Sequence, residues 1–290
     1  MQNEVTAKYW ESKENKDIKD LECKLCPRSC IIKENRTGKC GARENRNGIL
    51  VAKSYGGVTS IALDPIEKKP LYMFNPGKKI VSIGGYGCNF NCPFCQNYSI
   101  SLKYQNTKID YMTPELITEV ALMAVQDGNI GVAYTYNEPL IGYEFVSDCS
   151  ALIHEAGLKN VLVTNGYINK EPLETLLPLI DAMNIDIKGY YGRTYTEVGG
   201  TLEVVKDTIK MSNKACHVEV TTLVIPNENE EDVDNIAKWL SEVDPGIPYH
   251  LSRFFPRYRY SDRESTPPET MYRLRDIAKK YLKNVFIGNM

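Results

Sequence analysis

One short segment of the sequence carries three cysteines at a spacing suited to metal chemistry. They are Cys88, Cys92 and Cys95, separated first by three residues and then by two. An iron–sulfur cube has four iron corners and normally takes four thiolates, so three cysteines leave one iron open to another ligand. The alternative is a zinc site, but such sites usually repeat the C-x2-C pair downstream. Only Cys149 and Cys216 follow, in helix-like and strand-like contexts. The spacing therefore favours a catalytic iron–sulfur cluster.

A second set of four cysteines precedes the first, at Cys23, Cys26, Cys30 and Cys40. Four thiolates so close together suit either a tetrahedral zinc ion or a complete iron–sulfur cluster. Zinc would stabilise a segment too short to have much core of its own, whereas a cluster could relay electrons to the first one. The remaining alternative is a set of reduced cysteines that binds no metal.

The overall composition is that of an ordinary globular protein. The chain has 290 residues, 42% of them apolar and 25% charged, with a formal net charge of −2. Without a basic excess, nucleic-acid binding has no compositional support. The apolar stretches are shorter than a bilayer span, and residues 1–20 read as a solvated polar or helical arm and not as a signal peptide. Nine cysteines without an export signal predict a reducing, cytoplasmic location and no membrane association.

Strand and helix patterns alternate regularly after about residue 77, following the loop signal Asn75-Pro76-Gly77. We therefore predict an N-terminal Cys-rich extension, residues 1–77, and a β/α domain, residues 78–290. Such alternation predicts parallel strands with right-handed crossovers, either in a barrel or in an open doubly wound sheet. The predicted strands are residues 79–84, 131–136, 160–164, 182–187, 217–225, 249–252 and 285–287. The predicted helices are residues 114–124, 143–155, 170–179, 202–211, 230–243 and 268–282.

Polar side chains with chemical potential recur where these strands end, which is where β/α barrels assemble active sites. They are Asn137, Glu138, Thr164, Asn165, Asp186, Lys188 and His250. Each has a structural alternative. Glu138 could be a turn residue on the surface, and Asp186 and Lys188 share a strand face and could simply pair with each other. A lone histidine such as His250 is more often structural than functional.

The cysteine spacing, with Phe94 before the third cysteine and Gln96 after it, closely resembles that of radical S-adenosylmethionine enzymes. The resemblance implies an α/β fold, an incomplete (β/α)6 TIM-like barrel with one open side. It implies that a [4Fe-4S] cluster on Cys88, Cys92 and Cys95 binds the methionine end of S-adenosylmethionine at its open iron. One electron from the cluster then cleaves the cofactor to a 5′-deoxyadenosyl radical, which abstracts hydrogen from a substrate. A low-potential donor such as flavodoxin or ferredoxin is implied as the partner that supplies the electron.

The same resemblance assigns roles to the strand-end residues. Glu138 matches the carboxylate that holds the cofactor's amino group, although Tyr136 and Asn137 replace the two glycines before it. The remaining cofactor contacts implied are Phe94 beside the adenine, Gln96 next to the cluster, Thr164 with Asn165, Asp186 with Lys188, and His250 near the adenosine.

Further segments narrow the resemblance to the radical enzymes of the AmmeMemoRadiSam system, relatives of the pyruvate formate-lyase-activating enzymes. They are the N-terminal cysteine set and residues 64–72, 88–97, 134–139 and 253–256. Members commonly continue past the final strand with a further cysteine-containing segment, which this sequence does not show. An activase would abstract hydrogen from a glycine of a partner protein. The alternatives are radical modification of a small molecule or another macromolecule, and a non-enzymatic metal-binding adaptor.

Residues 252–260 alternate arginines with aromatic residues. Such a segment could stack on nucleic-acid bases, but the chain lacks a wider basic surface. We expect a loop at the barrel mouth that closes on an anionic substrate or a protein partner; the alternative is a solvated loop.

Overall fold

The computed structural model describes residues 4–13 and 19–290, and its N-terminal part consists of short strands. β1 (Trp10–Ser12), β2 (Leu21–Cys23) and β3 (Ile31–Ile32) form an antiparallel sheet. β4 (Arg43–Arg46) and β5 (Ile49–Ala52) form a hairpin, and β6 (Gly57–Val58) pairs with a later strand. The predicted polar or helical arm thus contains a strand, β1, while its residues 1–3 and 14–18 lie outside the described residues.

An eight-stranded sheet forms the centre of the molecule. It comprises β7 (Ser60–Pro65), β8 (Lys79–Gly84), β10 (Asn129–Tyr134), β11 (Lys159–Thr164), β12 (Ala182–Asp186), β13 (His217–Val224), β14 (Tyr249–Arg253) and β15 (Val285–Gly288), while β9 (Asp110–Tyr111) pairs with β6 outside it. β8 and β10 to β15 are parallel and lie side by side in chain order, and β7 is antiparallel to β8. A doubly wound sheet would reverse its strand order at a switch point, so the sequential order excludes that alternative.

The two edge strands, β7 and β15, do not pair with each other. The sheet is therefore an incomplete barrel, as predicted, and each of the seven strands predicted after residue 77 is present as one of its parallel strands. A boundary after residue 77 would separate β7 from its partner β8, so part of the predicted extension belongs to the barrel sheet. The segment that carries the four N-terminal cysteines lies outside that sheet.

The helices of the described residues lie between the strands. They are α1 (Tyr98–Ser101), α2 (Pro114–Met123), α3 (Tyr143–Glu155), α4 (Lys170–Leu176), α5 (Gly192–Val198), α6 (Leu202–Ser212), α7 (Asp232–Val243) and α8 (Pro268–Ala278). α2 begins as predicted: the Leu116 N–H donates to Thr113 Oγ1 (3.3 Å), and Pro114 occupies the first helical position. The sequence pattern did not predict α1 or α5. No helix in the described part of the chain is both long and apolar enough to cross a membrane.

The hydrophobic core lies between the sheet and the helices and extends into the N-terminal segment. Leu21, Leu25 and Ile32 belong to the same buried cluster as barrel residues such as Val132 and Val220. Because this core is continuous, the Cys-rich segment is held firmly against the carboxyl ends of the first strands.

Candidate active site

The loop that carries Cys88, Cys92 and Cys95 follows β8 directly and lies at the carboxyl end of the barrel. All three cysteines line a cleft of about 1080 Å³, measured out to its mouth. The Phe90 N–H donates to Cys88 Sγ (3.3 Å), and the Cys95 N–H donates to the Cys92 carbonyl (3.2 Å). The loop is therefore folded back on itself so that its thiols share one cavity.

The pKa values of all three thiols are raised above the usual value of a cysteine. Burial raises the pKa of Cys92 to about 12 and raises that of Cys95. The pKa of Cys88 lies well above its usual range, first because of burial and second because of the nearby Glu138 carboxylate. A cationic iron site held by these cysteines would offset both effects, since metal ligation requires and stabilises the thiolate. Three half-buried thiols on one loop fit a cluster that is short of one protein ligand.

Glu138 follows β10 and lies on the same cleft, where it is only 2% exposed. Its Oε1 accepts hydrogen bonds from the Leu140 N–H (2.9 Å) and from Thr164 Oγ1 (2.7 Å), and its Oε2 accepts one from the Asn165 N–H (2.8 Å). Burial raises the pKa of Glu138 to about 7, and these donors oppose the shift. A carboxylate has about four acceptor positions, so one remains on Oε2 for a ligand ammonium.

Asn165 connects this carboxylate to the cysteine loop. Its side-chain Nδ2 donates to Asn89 Oδ1 (2.9 Å) and lies 3.8 Å from Cys88 Sγ. Asn89 in turn donates to the Tyr167 carbonyl (2.8 Å). Because these residues come from two different strand-end loops, the bonds hold the loop after β8 and the loop after β11 in one arrangement.

Asp186 is the last residue of β12 and Lys188 lies two residues beyond it, and the two side chains form an ion pair of 2.9 Å on the cleft that the cysteines line. Burial alone would lower the pKa of Lys188, but the Asp186 carboxylate outweighs burial and raises the pKa above its usual value. Both side chains line the cleft, so the pair presents a cation and an anion to whatever occupies it.

The same cleft is lined by residues that sequence reasoning missed, namely Lys68, Lys69, Tyr136, Thr221 and Ser252. Lys69 is buried and pairs with Asp64 (2.8 Å), and the Tyr136 hydroxyl donates to the same carboxylate (2.6 Å). Tyr136 has a φ of +70°, a conformation that glycine adopts without strain. The residue that replaces a glycine of the matched motif thus keeps a glycine-like backbone. The available sequence signals for Lys68, Lys69 and Tyr136 were the charges of residues 64–70 and the family resemblance of residues 64–72 and 134–139.

Phe94, Gln96 and Asn137 line the cleft, together with Thr164 and Asn165. Asn137 acts within the loop, because its Oδ1 accepts from the Gly85 N–H (3.0 Å) and its Nδ2 donates to the Gly87 carbonyl (3.1 Å). Asn137 therefore shapes the backbone that leads to Cys88.

His250 is the predicted site residue that the structure does not bring to this cleft. It is the second residue of β14 and not the last, and its Nε2 bonds Glu219 Oε2 (2.5 Å) in the barrel interior. Glu219 also accepts from His217 Nε2 and from the backbone of Tyr72 and Met73. Ser252, two residues further along the same strand face, lines the cleft in its place.

The four N-terminal cysteines line a separate, small cavity of about 340 Å³. Burial raises the pKa of Cys26 to about 11 and that of Cys40 to about 12, and it raises the pKa of Cys23. Arg43 Nη1 lies 3.8 Å from Cys23 Sγ. No group of three or more His, Cys, Asp or Glu side chains that could hold one metal ion is present among residues 4–13 and 19–290. The donor set, four thiols in one cavity, is that of a zinc site or of a cluster whose cysteines bind different irons.

Residues 82–240 match the Radical SAM superfamily, which is more than half of the chain. The chain therefore belongs to the radical S-adenosylmethionine superfamily, a class of enzymes that use this cofactor with an iron–sulfur cluster. It is 45% identical over 284 residues to an uncharacterized protein of Methanocaldococcus jannaschii, covering 96% of this chain and 84% of that one. It is 25% identical to the pyruvate formate-lyase 1-activating enzyme of Escherichia coli, covering 67% of this chain and 86% of that one. The predicted kinship with such activating enzymes is confirmed.

A solved structure supports the fold. QueE from Escherichia coli superimposes with a TM-score of 0.51 at 13% identity, covering 81% of this chain and 94% of that one. At that identity the likeness shows the partial barrel and nothing about the substrate.

Proposed function

We propose that this protein cleaves S-adenosylmethionine reductively and that the resulting 5′-deoxyadenosyl radical abstracts hydrogen from a glycine of a partner protein. The observation that carries the proposal is the shared cleft. This cleft is lined by three cysteines without a fourth, by the Glu138 carboxylate with one free acceptor position, and by the Asp186–Lys188 ion pair. A cluster would supply one electron to the sulfonium, and the chain's own residues orient the cofactor against it.

The chain's residues divide this work by their chemistry. Cys88, Cys92 and Cys95 hold the cluster, and the free Oε2 position of Glu138 accepts from the cofactor ammonium. Lys188 is placed to bind the carboxylate of the methionine moiety, while Asp186 keeps Lys188 charged and accepts from ribose hydroxyls. Phe94 and Gln96 extend this surface on the cysteine loop.

Two observations support a protein substrate. The barrel sheet is open between β7 and β15, so the cleft has a side that no strand closes. One relative is named as a pyruvate formate-lyase 1-activating enzyme. A low-potential carrier such as flavodoxin or ferredoxin would supply the electron. The alternatives, radical modification of a small molecule or of another macromolecule, use the same cofactor chemistry, and membership of an enzyme family speaks against a purely structural adaptor.

The N-terminal cysteines form the second part of the proposal. We assign Cys23, Cys26, Cys30 and Cys40 to a second metal group, either zinc or an iron–sulfur cluster. Four cysteines that line one small cavity support this assignment, because a set of four thiolates is a common ligand set for structural zinc and for iron–sulfur clusters.

The test is 5′-deoxyadenosine formation by anaerobically reconstituted protein with dithionite and S-adenosylmethionine. Cys88→Ala, Cys92→Ala and Cys95→Ala should each abolish product, whereas Cys149→Ala and Cys216→Ala should retain it. Turnover by Cys92→Ala would refute the assignment of the cluster. A glycyl radical detected by electron paramagnetic resonance in a copurifying protein would identify the substrate class, and modification of a small molecule instead would contradict it.

A further inference from the structure

A second, basic groove borders the cysteine loop next to the cleft described above, and the two share Cys88, Phe90 and Ser101 in their walls. It has a volume of about 1130 Å³, measured out to its mouth, and is lined by Arg28, Lys39, Lys103 and Arg259 against a single acidic residue, Glu197. The chain as a whole carries a net charge of −2. The groove is therefore a local concentration of positive charge on a protein that is otherwise slightly acidic.

The four cations are available to a partner. None of them forms an ion pair with another described residue, and Lys39, Lys103 and Arg259 are exposed. Arg28 and Arg259 hold their positions through backbone contacts: Arg28 Nε donates to the Asn89 carbonyl, and the Arg259 N–H donates to the Pro93 carbonyl (3.0 Å). Two of the cations are thus anchored to the loop that carries the cluster cysteines.

Two of the cysteines assigned to metal binding, Cys88 and Cys40, line the groove. Cys88 lines both this groove and the cofactor cleft, so its side chain lies in the wall between them. Cys40 lines the groove as well. The backbone of Cys40 packs closely against the cysteine loop, since a Cβ added at Gly87 would lie only 2.3 Å from the Cys40 carbonyl oxygen. The groove is therefore bordered by one cysteine of each set.

We propose that this groove is the docking site for an acidic, low-potential one-electron carrier protein. The inference rests on the proposed function, which requires an electron from outside. One electron leaves the reduced carrier and enters the cluster, so the carrier is oxidised and the cluster reduced by one electron each. The electron is consumed when a sulfonium–carbon bond of S-adenosylmethionine breaks to give methionine and the 5′-deoxyadenosyl radical. Complementary charge accelerates such encounters and makes their rates sensitive to salt.

The test compares two reductants on the reconstituted holoenzyme. Lys39→Glu combined with Lys103→Glu should slow cluster reduction by photoreduced flavodoxin about tenfold or more at low ionic strength. Reduction by dithionite, which needs no protein docking, should be unchanged. Lys214→Glu with Lys280→Glu is the matched control, because both lysines are exposed and neither lines the groove. Cluster reduction is followed by absorbance and electron paramagnetic resonance, and high salt should remove most of the difference.

A second variant, Lys39→Gln with Lys103→Gln, covers the case in which charge reversal prevents folding, and it should show a smaller loss in the same direction. Equal rates with flavodoxin in the groove variants and the wild type would overturn the inference. The inference would also be overturned if the groove variants bound a single-stranded RNA oligonucleotide more weakly than the wild type while flavodoxin still reduced their clusters at the wild-type rate. If the wild type forms no 5′-deoxyadenosine with dithionite, the proposed function fails, while the reduction rates still decide whether the groove receives the carrier.

Discussion

Glu138 Oε2 accepts a hydrogen bond of 2.8 Å from the backbone N–H of Asn165, which joins the ends of two neighbouring barrel strands. The Asn165 side chain continues this link to Asn89, the residue after Cys88. The carboxylate proposed to hold the cofactor is thus fixed by the same residue that positions the cysteine loop. The cofactor contact and the cluster loop are therefore expected to respond together when this link is broken.

Replacing Glu138 should weaken cofactor binding without loss of the cluster. A charge-assisted hydrogen bond contributes roughly 1.5–3 kcal/mol, so Glu138→Gln should weaken S-adenosylmethionine binding about tenfold or more, at about 1.4 kcal/mol per decade. The Leu140 and Asn165 N–H groups donate to the Glu138 carboxylate, and the NH2 group of a glutamine would face one of these donors. We therefore also expect a lower melting temperature. Isothermal titration of reconstituted protein measures the affinity, with Glu174→Gln on the surface as control. Unchanged affinity would mean that Glu138 does not bind the cofactor.

The Asp186–Lys188 pair offers a test that separates structure from cofactor contact. If both residues touch the cofactor, Asp186→Asn and Lys188→Met should each lower affinity for S-adenosylmethionine. If they only pair with each other, the double variant should cost stability and spare affinity. Since both side chains line the cleft, we expect the first result. Titration of the two single variants and the double variant, with thermal melting of each, distinguishes the cases.

The N-terminal cysteines should bind metal independently of the cluster loop. Protein with Cys88, Cys92 and Cys95 all changed to alanine should retain either about one zinc or about four irons per chain, by the stoichiometry of such sites. Elemental analysis after anaerobic reconstitution measures this. The further change of Cys23 and Cys26 to alanine serves as the control and should remove the remaining metal. Finding neither metal in the first variant would contradict the proposed second site.

Glu219 should make the protein sensitive to acid. Burial would raise its pKa, but hydrogen bonds from His217, His250 and the Met73 backbone prevail and lower it to about 2, from 4.5 in an unfolded chain. An acid whose folded pKa is lowered contributes stability above its unfolded pKa, and this contribution disappears as the pH falls from about 4.5 towards 2. The difference corresponds to roughly 3 kcal/mol.

Denaturant unfolding at pH 7 and at pH 3 measures this dependence in the metal-free protein. Glu219→Gln should be less stable at pH 7 and should lose much less stability between the two pH values than the wild type. Glu174→Gln, which changes an exposed carboxylate, should behave like the wild type. Parallel pH curves for Glu219→Gln and the wild type would show that this cluster does not govern acid stability.

Local patterns in the sequence were sufficient for most of the elements and for the loop whose three cysteines share one cleft. The spacing of Cys88, Cys92 and Cys95 depends on one short segment, and the strands and helices follow from periodicity, so α3 and β8 are observed at their predicted bounds. The strand ends also predicted Glu138, Asp186 and Lys188, because parallel strands bring their carboxyl ends to one edge.

Only the tertiary structure decided how far each side chain lies along the barrel axis and which distant residues meet. His250 and Ser252 share a strand face, yet two residues of rise put one beside Glu219 and the other on the cleft. Tyr136 meets Asp64 across strands, and Arg28, Lys39, Lys103 and Arg259 come together from three separate segments. Periodicity reports which face a residue occupies, whereas such contacts depend on register, loop path and the packing of segments far apart in the chain.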